Sequence, residues 1–146
     1  MTRIVAGSAK GRTLAVPKSG TRPTSERVRE ALFSRLDHMN VLEGAVVLDL
    51  YAGTGALGLE ALSRGAATAT LVEKASGAAR VATSNVRSTG LSARVVTADD
   101  RAYLAARSSQ FLSGEVDLGF IDPPYDISEA YINTVLEGLA PCTGPH

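Results

Sequence analysis

Four short apolar runs punctuate the chain, Val46 to Leu50, Ala69 to Val72, Ala93 to Ala98 and Val116 to Ile121, and an acid stands at the end of each: Asp49, Glu73, Asp99 with Asp100, and Asp122. Runs this short, apolar on successive residues, predict buried strands. Helical patterns alternate with them, over Ala56 to Ser63, Ala75 to Ser88, Arg101 to Ser108 and Ser128 to Leu139. Strand and helix in alternation predict an α/β fold with a doubly wound sheet. Ahead of this repeat, Ile4 to Ala6 and Thr13 to Val16 flank Gly7-Ser8-Ala9-Lys10-Gly11 and predict a hairpin that Pro17 closes. Thr24 or Ser25 caps a following helix, with Glu26 in its first turn and Val28, Leu32 and Leu36 along one side. Arg27 and Arg29 leave that stripe on opposite sides, where solvation is the plain expectation.

The last turn of each strand carries the chemistry. Val46 to Leu50 runs into Tyr51-Ala52-Gly53-Thr54-Gly55-Ala56-Leu57-Gly58, and its glycines match G-x-G-x-x-G. Such glycines permit a tight turn, close approach of a ligand to the backbone and packing of helix on strand. Glu73 stands twenty residues after Gly53, where an acid accepts the hydroxyls of a ribose. Together these predict a nucleoside-containing cofactor. A dinucleotide would set its pyrophosphate on the helix N-terminus, where the carboxylate of Asp49 repels it. S-adenosylmethionine carries no phosphate, and its cationic amino and sulfonium groups are attracted by acids. Acids at four successive strand ends line one crevice of a doubly wound sheet, although helix capping accounts equally well for Asp100 taken alone.

Asp122-Pro123-Pro124-Tyr125 follows the fourth strand. Proline fixes its φ, lacks an N–H and holds the preceding residue extended, which keeps the carbonyls of Asp122 and Pro123 free to accept hydrogen bonds from a flat amine. The aromatic ring of Tyr125 supplies a stacking surface.

The segments Asp49 to Leu62 (DLYAGTGALGLEAL), Glu73-Lys74, Asp99 and Asp122 to Tyr125 resemble the class I S-adenosylmethionine-dependent methyltransferases that modify exocyclic amines. Thr21 to Phe33 (TRPTSERVREALF), with the leader Arg3 to Arg12 (RIVAGSAKGR), is similar to the bacterial 16S rRNA guanine-N2 methyltransferase family, the RsmD type. The resemblance spans nearly the whole chain. It implies a Rossmann-like sheet with an N-terminal hairpin-and-helix extension over residues 1–40 and a cofactor-binding catalytic domain over 41–146. It further implies that Asp49, Tyr51, Ala52, Thr54 and the loop Gly53, Gly55 and Gly58 hold the methionine portion of the cofactor. Glu73 and Lys74 would border the ribose, and Asp99 or Asp100 would accept the adenine amine. Asp122, Pro123, Pro124 and Tyr125 would orient and stack the target guanine. The family's strand order places the available strands 3-2-1-4. The chain stops short of the seven strands of that sheet, so its C-terminal strands are expected to be missing and the fourth strand to lie at an edge.

Charge sharpens the expected partner. Residues 1–40 hold eight Lys/Arg and three Asp/Glu, whereas 41–146 hold seven and twelve, although the whole chain is formally neutral. The first 22 residues contain Arg3, Lys10, Arg12, Lys18 and Arg22 and no acid. A basic, glycine-containing arm of this kind can follow a phosphate backbone. With Arg27, these residues are expected to meet 16S rRNA, free or in an assembled small subunit, and the resemblance implies that the helical segment with Arg27 and Arg29 borders the cofactor or RNA pocket. The 45% hydrophobic content supports one core. Cys142 is a lone cysteine, His38 and His146 make no metal cluster, and no run reaches membrane-spanning length. A cytoplasmic monomer without metal is expected. Three other readings stay open: a DNA adenine methyltransferase with the same D-P-P-Y logic, a nicotinamide oxidoreductase sharing the glycine loop, and a non-catalytic RNA-binding module.

Overall fold

The computed structural model describes residues 2–15, 26–50, 52–99, 102–103, 116–121, 129–134 and 138–141. A short antiparallel pair, β1 (Thr2–Arg3) and β2 (Thr13–Leu14), is followed by α1 (Glu26–His38). The alternating part comprises β3 (Val46–Leu50), α2 (Ala56–Ser63), β4 (Thr68–Glu73), α3 (Ser76–Thr89), β5 (Ala93–Thr97) and β6 (Leu118–Ile121). Two further strands, β7 (Glu129–Thr134) and β8 (Gly138–Pro141), complete a six-stranded sheet in the order β5-β4-β3-β6-β7-β8. The fold is α/β and Rossmann-like, with β5, β4, β3 and β6 parallel in the expected 3-2-1-4 order. Among the described residues, no helix is long and apolar enough to cross a membrane.

The far side of the sheet departs from the sequence expectation. Instead of a helix over Ser128 to Leu139, β7 pairs antiparallel with β6, and β8 antiparallel with β7. The fourth parallel strand is therefore not at an edge. Two physical causes combine. An apolar strand with a bare edge leaves a row of backbone N–H and C=O groups to be paired, and Tyr131, Ile132 and Thr134 supply strand-favouring residues close at hand. The seven residues between Ile121 and Glu129 are too few for a crossover to a parallel strand, so the partner runs antiparallel. Of the expected helix Arg101 to Ser108, Ala102 and Tyr103 are helical and the remainder lies outside the described residues.

Period-2 alternation sends neighbouring side chains of the sheet into two cores. Val47 of β3 joins Ala69 and Leu71 of β4, Leu118 and Phe120 of β6, and Leu59 and Leu62 of α2 on one face. Leu48, Leu50, Val72 and Val116 form the other. The larger core also takes in Ile4, Ala9 and Leu14 of the N-terminal hairpin and Phe33 and Leu36 of α1, so the N-terminal extension and the sheet share one apolar interior. The rings of Phe33 and Phe120 meet at 5.4 Å between centroids.

The hairpin and α1 are held by an acid that the apolar pattern conceals. Every residue of α2 is buried, and in its middle stands Glu60 with no exposure. Its Oε1 accepts hydrogen bonds from the Val5 N–H (2.9 Å) and from Arg29 Nε (3.2 Å). Its Oε2 accepts from the Ala6 N–H (3.0 Å) and from Arg64 Nε (2.9 Å). A carboxylate offers about four acceptor positions, and here four donors fill them. Arg29 also donates to the Arg3 carbonyl, while Arg64 reaches Asp37 at 2.8 Å and lies over the Phe33 ring at 5.2 Å.

Two expectations change in consequence. The buried side of α1 is Arg29, Phe33 and Leu36, while Val28 is 55% exposed, because the carboxylate draws Arg29 inward and rotates the helix about its axis. Of the segment Ile4 to Ala6, Ile4 still pairs across the hairpin, its N–H donating to the Arg12 carbonyl and its carbonyl accepting the Gly11 N–H, whereas Glu60 takes the N–H groups of Val5 and Ala6 and the strand itself lies at Thr2–Arg3. Gly7 then passes so close to the end of α2 that a Cβ on it would stand 1.9 Å from the Ser63 carbonyl oxygen. Ser63 fastens the same corner by accepting from the Ser8 N–H (2.7 Å) and, at Oγ, from the Ala9 N–H (2.9 Å).

Removing one member of a buried ionic network strands the others without partners, at about 3 to 5 kcal/mol. Glu60→Ala is therefore expected to lower the free energy of unfolding by that amount in urea titrations. A loss below about 1 kcal/mol, the range of exposed ion pairs, would contradict the assignment.

Candidate functional site

At the C-terminal ends of β3, β4 and β5 the structure gathers Asp49, Ala52 to Gly58, Glu73, Lys74 and Asp99. Asp49 lies on the α2 side of β3, is 1% exposed, and accepts the Gly58 N–H at Oδ2 (3.0 Å). It thereby caps the first turn of α2, where unpaired N–H groups and the helix dipole favour negative charge. One first-turn N–H of the kind that holds a phosphate at a helix N-terminus is here taken by a carboxylate of the protein itself.

The glycine loop is set by its neighbours on β4 and α3. Gly55, at φ +84°, is the N-cap of α2, and its N–H donates to the Ala52 carbonyl at 2.8 Å. A Cβ on Gly58 would stand 2.2 Å from Leu71 Cδ2, so this glycine lets α2 lie against β4. The Gly53 N–H donates to Glu73 Oε1 (2.9 Å), and the Ala75 N–H donates to Glu73 Oε2 (2.8 Å). Glu73, which the sequence assigns to a ribose, is seen to tie the glycine loop to the turn after β4, and each of its oxygens keeps acceptor capacity for a hydroxyl. Thr54 is buried, and its carbonyl accepts from Asn85 Nδ2 at 2.9 Å.

At the next strand end, Lys74 Nζ and Asp99 Oδ2 lie 3.8 Å apart across two exposed loops. Asp99 Oδ1 accepts the Ala102 N–H at 2.9 Å, an N-cap contact. The capping role that the sequence offered for Asp100 belongs, in the described residues, to Asp99. Tyr51, Asp100, Lys18, Arg22 and the whole of Asp122, Pro123, Pro124 and Tyr125 lie outside the described residues. The strand that leads to the last four ends at Ile121, level with Leu50 of β3. Arg3, Lys10 and Arg12 of the hairpin and Arg27 of α1 are exposed. Among the described residues, no group of three His, Cys, Asp or Glu could hold a metal ion.

Sequence reasoning passed over two residues of consequence, Glu60 and Asn85, and expected Arg29 to be solvated where the structure buries it. Asn85 lies on the buried stripe Ala78, Ala82, Asn85 and Thr89 of α3, and that i, i+4, i+7, i+11 spacing was the available signal. Glu60 was signalled by an acid inside the otherwise apolar ALGLEAL.

The donor set suits a cationic, phosphate-free nucleoside. Half-exposed carboxylates stand at two strand ends, and the helix N-terminus is already neutralised by Asp49.

Comparisons with known proteins agree with this geometry. The family described as Conserved hypothetical protein 95 matches residues 2–142. Ribosomal RNA small subunit methyltransferase D of Escherichia coli is 42% identical over 125 residues, which cover 84% of this chain and 60% of that protein. The chain thus spans about 60% of the length of that curated relative. The solved structure "Putative methyltransferase yhhF from Escherichia coli" superposes with a TM-score of 0.64 at 46% identity, over 71% of this chain and 56% of that one. "SMU.776, a putative methyltransferase complexed with SAH" superposes with a TM-score of 0.54 at 25% identity, over 67% of this chain and 25% of that one.

Ligand linkage discriminates between the cofactor classes. S-adenosylhomocysteine at a hundredfold excess over its Kd is expected to stabilise the protein by about 2.7 kcal/mol, read as a rise in melting temperature, and NAD to leave it unchanged. A rise with NAD and none with S-adenosylhomocysteine would reverse the assignment.

Proposed function

The chain belongs to the Conserved hypothetical protein 95 family, the RsmD type, and on that premise we propose that it serves S-adenosylmethionine-dependent N2-methylation of a guanine in 16S rRNA. The observation that carries this reading is Asp49 on the first-turn N–H of α2, beside a glycine loop tied to Glu73, which suits a cationic nucleoside and disfavours a pyrophosphate. The Escherichia coli relative, a ribosomal RNA small subunit methyltransferase, and the bound SAH of the more distant structure support the same reaction class and cofactor.

In this reading the bound cofactor supplies an electrophilic methyl group on a sulfonium. The chain does the rest. Asp49 and the loop from Ala52 to Gly58 face the methionine portion, with Tyr51 beside them. Glu73 accepts ribose hydroxyls while it keeps the loop in place, and Asp99 or Asp100 accepts the adenine amine. The lone pair of an exocyclic guanine amine is delocalised into the ring. The side chain of Asp122 and the carbonyl of Pro123 accept hydrogen bonds from its two N–H groups and so direct the lone pair at the methyl carbon; Asp122 takes up the one proton that the methylated amine loses, with S-adenosylhomocysteine as the leaving group. Tyr125 stacks on a base that has left its own stack. Holding both reactants in line supplies much of the acceleration. The basic residues Arg3, Lys10, Arg12, Lys18, Arg22 and Arg27 meet rRNA phosphates.

Incubation with methyl-labelled S-adenosylmethionine and small ribosomal subunits, followed by mapping of the labelled base, tests the reading; label on a guanine N2 of 16S rRNA is expected. Asp122→Ala is expected to slow single-turnover transfer by about 10² to 10³, the scale of one preorganised electrostatic contact, with S-adenosylhomocysteine affinity retained. Transfer at the parent rate would remove Asp122 from the chemistry.

A further inference from the structure

Asn85 joins two parts of the molecule that the proposed reaction must bring together. It is 2% exposed on α3, and its side chain grips Ala15, directly after β2, at both backbone groups: Oδ1 accepts the Ala15 N–H (2.7 Å) and Nδ2 donates to the Ala15 carbonyl (3.1 Å). The second Nδ2 hydrogen goes to the carbonyl of Thr54 in the glycine loop (2.9 Å). Only a carboxamide meets this demand, because the site needs one acceptor and two donors on adjacent atoms. Its orientation is also fixed: a flipped amide would set NH2 against the Ala15 N–H and oxygen against two carbonyls. The side chain thus acts as a short strand edge for the end of the basic hairpin and as a stay for the cofactor loop.

We infer that Asn85 is a positioning residue that couples seating of the N-terminal arm on RNA to the shape of the cofactor loop, so that RNA and cofactor each tighten the binding of the other. This rests on the proposed methyltransferase reading. Glu60 fastens the Val5 and Ala6 side of the hairpin, whereas the chain leaving β2 is held at Ala15 by Asn85; a phosphate backbone that restrains this second side through Lys10 and Arg12 fixes Ala15, and through Asn85 the Thr54 carbonyl and with it the Gly53 N–H that Glu73 holds. Reciprocity follows from linkage, since a change in cofactor affinity caused by RNA equals the change in RNA affinity caused by cofactor.

The test is the Kd of S-adenosylhomocysteine, measured by calorimetry with and without saturating 16S rRNA, on the parent chain, Asn85→Asp and Val86→Ala. Asn85→Asp keeps the shape and removes both donors, whereas Val86→Ala loosens packing one residue along α3 and leaves the clamp intact. The parent is expected to bind S-adenosylhomocysteine at least about fivefold more tightly when RNA is present. That ratio should fall to about one in Asn85→Asp and persist in Val86→Ala, which separates coupling from general destabilisation. Should Asn85→Asp fail to fold, Ala15→Pro deletes the N–H that Oδ1 accepts, at an exposed side chain, and is expected to reduce the ratio in the same way. A ratio of one in the parent, or an undiminished ratio in Asn85→Asp or Ala15→Pro, overturns the coupling while leaving cofactor binding intact. Failure of the parent to bind S-adenosylhomocysteine at all overturns the methyltransferase reading and the coupling with it.

Discussion

A single carboxylate buried inside an apolar helix sets the arrangement of everything N-terminal to the sheet. Moving Glu60 from water into the core costs several kcal/mol unless its acceptor positions are filled. The four donors that fill them come from the hairpin, from α1 and from the end of α2 itself. Two come from neighbouring residues of the hairpin, one from α1 and one from the end of α2, so the desolvation penalty of one ion dictates the mutual placement of three elements. The rotation of α1, the diversion of the Val5 and Ala6 N–H groups from the hairpin and the tight passage of Gly7 over Ser63 are consequences of meeting that demand.

The same short helix carries the effect to the site. α2 has eight residues, about 12 Å of helix, with Glu60 and Ser63 towards one end and the Gly55 cap at the other. Asp49 and Leu71 fix the N-terminal end from below, and Glu60 and Ser63 clamp the C-terminal end to the hairpin. Asn85 makes a second connection from the hairpin to the glycine loop by way of α3. The hairpin is consequently fastened twice, to α2 by an ionic cluster and to the glycine loop by an amide.

Most of the sheet was legible in the sequence because the signal was local. Continuous apolar runs with acids at their ends gave β3 to β6 within two residues, and glycine spacing placed α2 at Ala56 to Ser63. The four-strand parallel order was implied by the family resemblance. What escaped was non-local. Whether Ser128 to Leu139 forms helix or strand depends on the open edge of β6, which no window of that segment contains. Arg29 looked solvated because its partner lies thirty-one residues away, and Glu60 looked like one acid in an apolar stretch until donors from three elements surrounded it. Glu73 was identified as a site residue, but its grip on the Gly53 and Ala75 N–H groups requires the loop geometry.

The central claim is that the N-terminal hairpin is part of the folded core, fastened through Glu60, and does not sit on it as a detachable arm. Native-state hydrogen exchange at the Val5 and Ala6 amides tests this most directly, because both protons are held by the Glu60 carboxylate. The account predicts that they exchange only through global unfolding, with the same free energy as the amides of β3 and β4. Exchange of Val5 and Ala6 through a low-energy local opening, while β3 and β4 stay protected, would contradict it.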